Sequence, residues 1–260
     1  MLVFSNQSYR VTHSKKVFKM FEEIDALKKK LPLDKNNKPL IFNSFYDVGH
    51  FSHILDFFQN INPNDSNHYR GVDMFLISDF AKNEISETSI KQFQDYRKVN
   101  SYLEGFQLNC DSGVIFHKFP NFEEIPDLMK EFIDTLNTKN FSHPIEKASF
   151  FHMNFINIHP FFDENGRTAR FFTNVILYNG GFLPIRPTTI SKIRYQLLFS
   201  GATFDHSLED SHNDNKLDYL RSVFKSQKTG DNSFFTEYLI NIQRHEILSY
   251  LNHRNCKISC

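Results

Sequence analysis

Apolar residues recur at helical spacing through most of this chain, and that periodicity restricts it to helix packing more tightly than any compositional number does. Val17, Met20, Phe21, Ile24 and Leu27 share one face of a first helix that runs to the Leu-Pro-Leu break at Leu31 to Leu33. The segment Phe51 to Phe58 is also apolar at helical spacing, and the polar patch Asn62 to Asn67 after it predicts a loop. Ser86 to Tyr102 is predicted as a helix opened by a Ser-Glu-Thr-Ser cluster able to cap it. Glu123 to Leu136 and His143 to Ile158 are amphipathic, with Pro126 and Pro144 near the first turn, where proline is tolerated. A further helix starts near Asn165 and stops at Gly180-Gly181, a pair suited to a left-handed C-terminal position. The acidic, polar region Phe204 to Lys216 predicts a loop, and helices resume over Lys216 to Lys225 and Ser233 to Asn252. One segment breaks the pattern: in Phe106 to Phe119 the turn signal Asp111-Ser112-Gly113 separates two short runs of strand formers, which predicts a β-hairpin.

A length of 260 residues suits one compact unit, or a core extended at both ends. The 30 Phe lie within the apolar-periodic stretches, so they are core filler first. Lys plus Arg balance Asp plus Glu at 30 each, which leaves no basic surface for a phosphodiester backbone and argues against nucleic acid as a partner. The N-terminus has too short an apolar run for a signal peptide, and no stretch approaches the roughly 18 apolar residues of a membrane helix. The expectation is a soluble cytoplasmic chain with no membrane partner, with export into another cell left open. Cys110, Cys256 and Cys260 form an odd set, so reduced thiols are expected and the last two sit in a frayed tail. Asp47, His50 and His53 have a superficial metal-ligand look, but isolated histidine pairs of this kind are far more often surface or satisfied core residues, and no function is assigned to them.

The chemistry concentrates in His159 to Arg170, HPFFDENGRTAR, between two of the predicted helices. His159 is a histidine at a helix end, able to accept a proton from a hydroxyl near neutral pH. Asp163 is a hard oxygen ligand suited to Mg²⁺, which keeps several waters and bridges to substrate phosphates. Asn165-Gly166 opens the next helix, whose first backbone N–H groups form an anion pocket aided by the helix dipole. Arg167 and Arg170 are one turn apart, so both guanidinium groups can reach one polyphosphate. A plain helix-loop-helix with a capping stretch and two solvated arginines is the alternative for such a loop.

The order of residue types resembles the Fic family motif at His159, Pro160, Phe161, Asp163, Asn165, Gly166, Arg167 and Arg170. The flanks agree as well: Glu124-Ile-Pro-Asp-Leu-Met129 and His143-Pro-Ile-Glu-Lys-Ala148 resemble the two helices preceding the motif, and the likeness runs from about Gly105 to Pro187. The resemblance implies an all-α fold, a Fic-type helical core with a small β-hairpin flap, and a division into an N-terminal helical extension (1–84), the core (85–190) and a C-terminal helical region (191–260). It implies transfer of AMP from ATP to a hydroxyl side chain of a target protein, with release of pyrophosphate. Carried over residue by residue, His159 would be the general base and Asp163 the Mg²⁺ ligand. Asn165 and the Gly166 backbone would cradle the phosphates, Arg167 would take the β-phosphate and Arg170 the γ-phosphate. Phe161 would be an anchor buried beneath the loop. The predicted hairpin occupies the place of the family's flap, where Val114, Ile115 and Phe116 would pair with the target segment as an added strand; a simple edge ribbon is the other reading. Tyr195 lies where relatives carry aromatics near the nucleobase, or is a core tyrosine.

Two departures qualify the match. Glu164 stands where Gly or Ala is usual. A carboxylate about 6 Å from a phosphate oxygen, at an effective dielectric near 20, is repelled by roughly 3 kcal/mol; the expectation is that Glu164 points outward into solvent and spares activity. The family's inhibitory motif, Ser or Thr, three residues, Glu, then Gly or Asn, has its best candidate in Ser233 to Glu237, but Tyr238 follows. Glu237 would then pair with Arg170; alternatively inhibition comes from a separate inhibitor protein. Other donors, such as a different nucleotide or a CDP-linked phosphocholine, use the same phosphate site, and a catalytically weakened protein-binding module is the non-enzymatic alternative.

Overall fold

The computed structural model describes residues 14–37, 39, 84–103, 117–185 and 214–258. Among these the chain is helical, as the periodicity requires. α1 (Lys15–Lys28) starts where the Ser14 hydroxyl accepts from the Val17 N–H, and it buries Val17, Phe21 and Ile24 along one stripe. α2 (Glu87–Lys91) opens on a reciprocal pair, Ser89 N–H to the Ser86 hydroxyl at 3.1 Å and Ser86 N–H to the Ser89 hydroxyl at 2.9 Å. The cap was legible, but the helix predicted to reach Tyr102 ends at Lys91. Residues 92–101 are instead drawn onto the core as irregular chain: Phe93 packs on Phe171 and Phe172, and Arg97 spends its donors on distant carbonyls.

β1 (Tyr102–Leu103) and β2 (His117–Lys118) pair antiparallel, with Tyr102 opposite Lys118 and Leu103 opposite His117. This pairing lies at the base of the predicted hairpin. Residues 104–116, with Val114, Ile115 and Phe116, lie outside the described residues, as do Phe51 to Phe58, Asn62 to Asn67, His50, His53, Cys110 and Tyr195.

A 3-10 turn (Phe122–Glu124) leads into α3 (Ile125–Thr138), whose Met129, Phe132, Ile133 and Leu136 face the core. α4 (Pro144–Ile158) is buried almost all round, and α5 (Asn165–Asn179) packs along it. His143 caps α4 by accepting the Ile145 N–H at Nδ1, 3.1 Å, while its ring stacks on Phe21 at 4.1 Å. Because a nitrogen that accepts carries no proton, Nε2 holds the hydrogen and faces Asp25 at 3.3 Å, which ties α1 to α4. Gly180 is required by close approach: a Cβ there would stand 2.4 Å from the Cβ of Pro144, so the end of α5 seats on the start of α4 only without a side chain. Gly181 takes the left-handed conformation at φ 76° expected of the pair. Asn174 then holds Ile185 by both amide atoms, at 2.9 and 2.8 Å.

α6 (Asp214–Thr229) and α7 (Ser233–Ile258) complete the described fold, α7 lying against α1, α6 and α4. One apolar cluster joins residues from Val17 to Ile247. The helix carries Cys256 within α7, so the backbone there is not the frayed tail expected. No helix among the described residues is long and apolar enough to cross a membrane.

Candidate active site

The loop between α4 and α5 is short, and its backbone is held at three points. His159 terminates α4 at φ 51°, ψ 57°, a left-handed position that turns the chain out of the helix. Its N–H still bonds the Phe155 carbonyl at 2.9 Å. The imidazole lies flat against the Phe119 ring, centroids 3.8 Å apart, and Nδ1 approaches the Ile156 carbonyl at 3.4 Å. A carbonyl only accepts, so Nδ1 carries the proton there and Nε2 is the lone-pair nitrogen. That is the tautomer a general base needs.

Phe161 is fully buried, its ring edge-on to Phe155 at 5.5 Å and near Tyr96 at 6.4 Å, as an anchor should be. Next to it Phe162 is 72% exposed, an apolar ring held at the surface by the loop. Asn165, only 2% exposed, accepts the Phe161 N–H at Oδ1 and donates to the Phe161 carbonyl through Nδ2, both at 2.9 Å. The side-chain amide thus closes the loop on Phe161.

Arg97 was missed by sequence reasoning, because a lone arginine in a segment that scans as helix carries no signal. Its guanidinium is buried among carbonyls, with Nε on His159 at 2.9 Å, Nη1 on Val99 at 2.7 Å and Nη2 on Pro120 at 2.6 Å. The Arg97 N–H also bonds the Pro160 carbonyl at 2.8 Å. One residue thus joins the chain flanking β1 and β2 to the catalytic loop. Burial lowers its pKa from the ordinary arginine value.

Glu164 departs from the expectation that it points outward. It sits at φ 65°, ψ 6°, the left-handed conformation that suits glycine, and its carboxylate accepts from Arg167 Nη1 at 2.8 Å. Its side chain is 15% exposed, against 30% for that of Arg167. The geometric reason is the spacing: with the Glu164 backbone reversed into α5, a residue three positions on brings its guanidinium back over the loop. Arg170 is directed elsewhere. Its Nη1 lies 3.2 Å from where a Cβ on Gly166 would stand, so glycine leaves that arginine room. It faces the buried Tyr219 hydroxyl of α6. The two arginines therefore share the start of α5 with different partners.

The Glu237 pairing with Arg170 is also corrected. Glu237 forms its ion pair with Lys16 of α1 at 2.5 Å, and the Ser233 hydroxyl donates to Asp231 at 2.8 Å. At that helix start Ser233 is tied to Asp231 by its N–H and hydroxyl, and Glu237 links α7 to α1.

Asp163 is exposed, with Oδ1 accepting the Glu164 N–H at 2.6 Å. Among the described residues no group of three or more His, Cys, Asp or Glu could enclose a metal. A single exposed carboxylate beside an anion pocket fits Mg²⁺, which is held by one or two carboxylates together with substrate phosphates and water.

A Fic/DOC family profile matches residues 73–177. The protein adenylyltransferase Fic of Nematostella vectensis is 44% identical over 71 residues, 26% of this chain and 17% of that protein. Protein adenylyltransferase fic-1 of Caenorhabditis elegans is 38% identical over 65 residues, 24% of this chain and 13% of that protein. The matched region is thus less than a fifth of the length of these curated relatives. Among solved structures, a Fic family protein from Desulfovibrio desulfuricans superposes with a TM-score of 0.59 at 17% identity, over 93% of this chain and 75% of its own. Fic-1 (residues 134–508) from C. elegans gives 0.60 at 18%, over 93% and 74%. These two likenesses establish the all-α fold. The motif, the flanking helices and this fold agree in making residues 73–177 similar to the Fic/DOC family.

Proposed function

We propose that this chain is a protein adenylyltransferase, moving AMP from ATP to the hydroxyl of a Ser, Thr or Tyr side chain on a target protein and releasing pyrophosphate. One observation carries the proposal: His159, in the tautomer with Nε2 as acceptor, stands at the end of α4 beside the N-terminus of α5. A base and an anion pocket are thereby held on one rigid pair of helices. Nε2 takes the proton of the target hydroxyl as its oxygen attacks the α-phosphorus, and the bond to the pyrophosphate oxygen breaks on the opposite side. The first-turn N–H groups, including that of Gly166, hold phosphate oxygens; Arg167 serves the β-phosphate and Arg170 the γ-phosphate. Asp163 would hold Mg²⁺, which supplies charge neutralisation along the polyphosphate when bound. The segment around Val114, Ile115 and Phe116 would register the target as an added strand. The names of the relatives, protein adenylyltransferases, point the same way.

The Glu164–Arg167 pair favours a second reading, a weakened member that binds its partner protein without turnover. Incubation with ATP labelled separately at the α- and γ-phosphates, with His159→Ala as control, separates the two. Protein-bound α-label that disappears in the variant supports AMP transfer. γ-label would mean a kinase, and no label in either arm would favour the binding module or another donor.

A further inference from the structure

The buried polar groups beneath α5 form a chain whose proton positions can be worked out one after another. Thr173 gives its hydroxyl proton to the Ala169 carbonyl at 2.6 Å, so its oxygen can only accept at the 3.0 Å contact with His152 Nδ1. Nδ1 therefore carries the imidazole proton, and Nε2 is an acceptor. Tyr219 Oη lies 3.0 Å from Nε2 and must donate to it. The phenol oxygen then presents its lone pairs to Arg170, which faces it. His152 is fully buried, edge-on to Tyr219 and stacked on Phe235 at 4.5 Å. The chain leaves α5 at Ala169, crosses α4 and α6, and returns to α5 at the adjacent residue, Arg170.

We infer that Tyr219, oriented by His152 and Thr173, is a positioning residue that holds the Arg170 guanidinium in place for the terminal phosphate of the donor. Gly166 bounds Arg170 on the other side, where any Cβ would crowd Nη1 at 3.2 Å. Tyr219 lies beyond residues 73–177, so a helix outside the family domain completes the phosphate site. The inference rests on the adenylyl-transfer reading for the identity of the phosphate, but not for the arrangement of the side chains. Burial raises the Tyr219 phenol above its ordinary pKa while the Arg170 charge and hydrogen bonding oppose this, which agrees with a neutral hydroxyl beside a cation.

Tyr219→Phe removes the oxygen and keeps the ring. Expected is a loss of about tenfold in ATP·Mg²⁺ affinity, the effect of one charge-assisted hydrogen bond. ADP and AMP, which lack the γ-phosphate, should bind within about twofold of the wild type on the same scale. Arg170→Ala should lose at least as much, and the double variant no more than Arg170→Ala alone. An equal loss for all three nucleotides, or none for ATP, overturns the inference. A nucleotide-free arm keeps it separate from the functional reading: the Arg170 Nε–H resonance should exchange slowly in the wild type and broaden in Tyr219→Phe, and an unchanged resonance sinks the assignment. A wild type that binds no ATP would end the adenylyl-transfer reading and leave the positioning role to be decided by this resonance. Should Tyr219→Phe fail to fold, Thr173→Val, which removes the acceptor fixing the His152 tautomer, must give the same ATP-selective loss.

Discussion

Replacing Glu164 by glycine should strengthen nucleotide binding, and the size of the gain follows from three effects. In the free protein the Glu164 carboxylate already occupies Arg167 at 2.8 Å, where a phosphate would otherwise go. A partly exposed pair of this kind is worth about 0.5–1 kcal/mol, which an incoming phosphate must displace. The carboxylate then remains near the phosphates, and at about 6 Å and an effective dielectric near 20 it repels one charge by roughly 3 kcal/mol. Screening at the open edge of the site reduces this, so the net gain for Glu164→Gly is about tenfold to a hundredfold in affinity. Folding stability should hardly move. Glycine relieves the left-handed backbone at φ 65°, a gain of about 1 kcal/mol, but it also frees the unfolded chain and loses the ion pair, about 1 kcal/mol in the other direction. Calorimetric titration of ATP·Mg²⁺ into wild type, Glu164→Gly and Glu164→Gln distinguishes charge from backbone. Gln keeps the side-chain length and should recover most of the gain. Affinities within twofold across the three proteins would refute the reasoning and restore the picture of a solvated, outward Glu164.

Arg97→Ala should destabilise the fold by about 2 kcal/mol or more, because it removes a buried guanidinium and the donors to the partly buried carbonyls of His159 and Pro120; denaturant unfolding measures this, and a change below about 1 kcal/mol would be inconsistent with it. His152 is fully buried with its pKa pushed down to about 3 by burial first, then by the Arg170 charge. The unfolded chain binds that proton near pH 6.5, so stability falls as pH drops from about 6.5 toward 3, by about 1.4 kcal/mol per pH unit for this one group. His143, lowered chiefly by burial, adds a slope of the same sign. His152→Gln should flatten the pH dependence of the urea midpoint by one proton's worth, and an unchanged slope would count against the assignment. Glu237→Gln should leave the transfer rate within about twofold and cost under about 1 kcal/mol of stability, as expected for a surface pair with Lys16; strong activation would reinstate Glu237 as an inhibitory residue.

The helices and their apolar faces were legible in the sequence because periodicity and caps are local: Ser86 stands in the cluster expected to cap its helix, and Val17, Phe21 and Ile24 share the face that their spacing implies, whereas the Ser14 and His143 caps emerged only in the structure. The motif likewise placed His159 at a helix end and Arg170 one turn after Arg167 without reference to any contact. What tertiary structure alone decided is where polar side chains spend their hydrogen bonds. Residues 92–101 leave the predicted helix because Arg97 and Phe93 gain more from distant carbonyls and rings than the segment would from its own backbone bonds. Asn165 closes a loop on Phe161, Glu237 meets Lys16, and Glu164 turns in toward Arg167. Tyr219 of α6 meets His152 of α4, which meets Thr173 of α5, from three helices separated along the chain. Spacing along one helix fixes which residues share a face, but a hydrogen-bond partner across the core depends on how separate helices pack, and that is settled only when the whole apolar cluster closes around them.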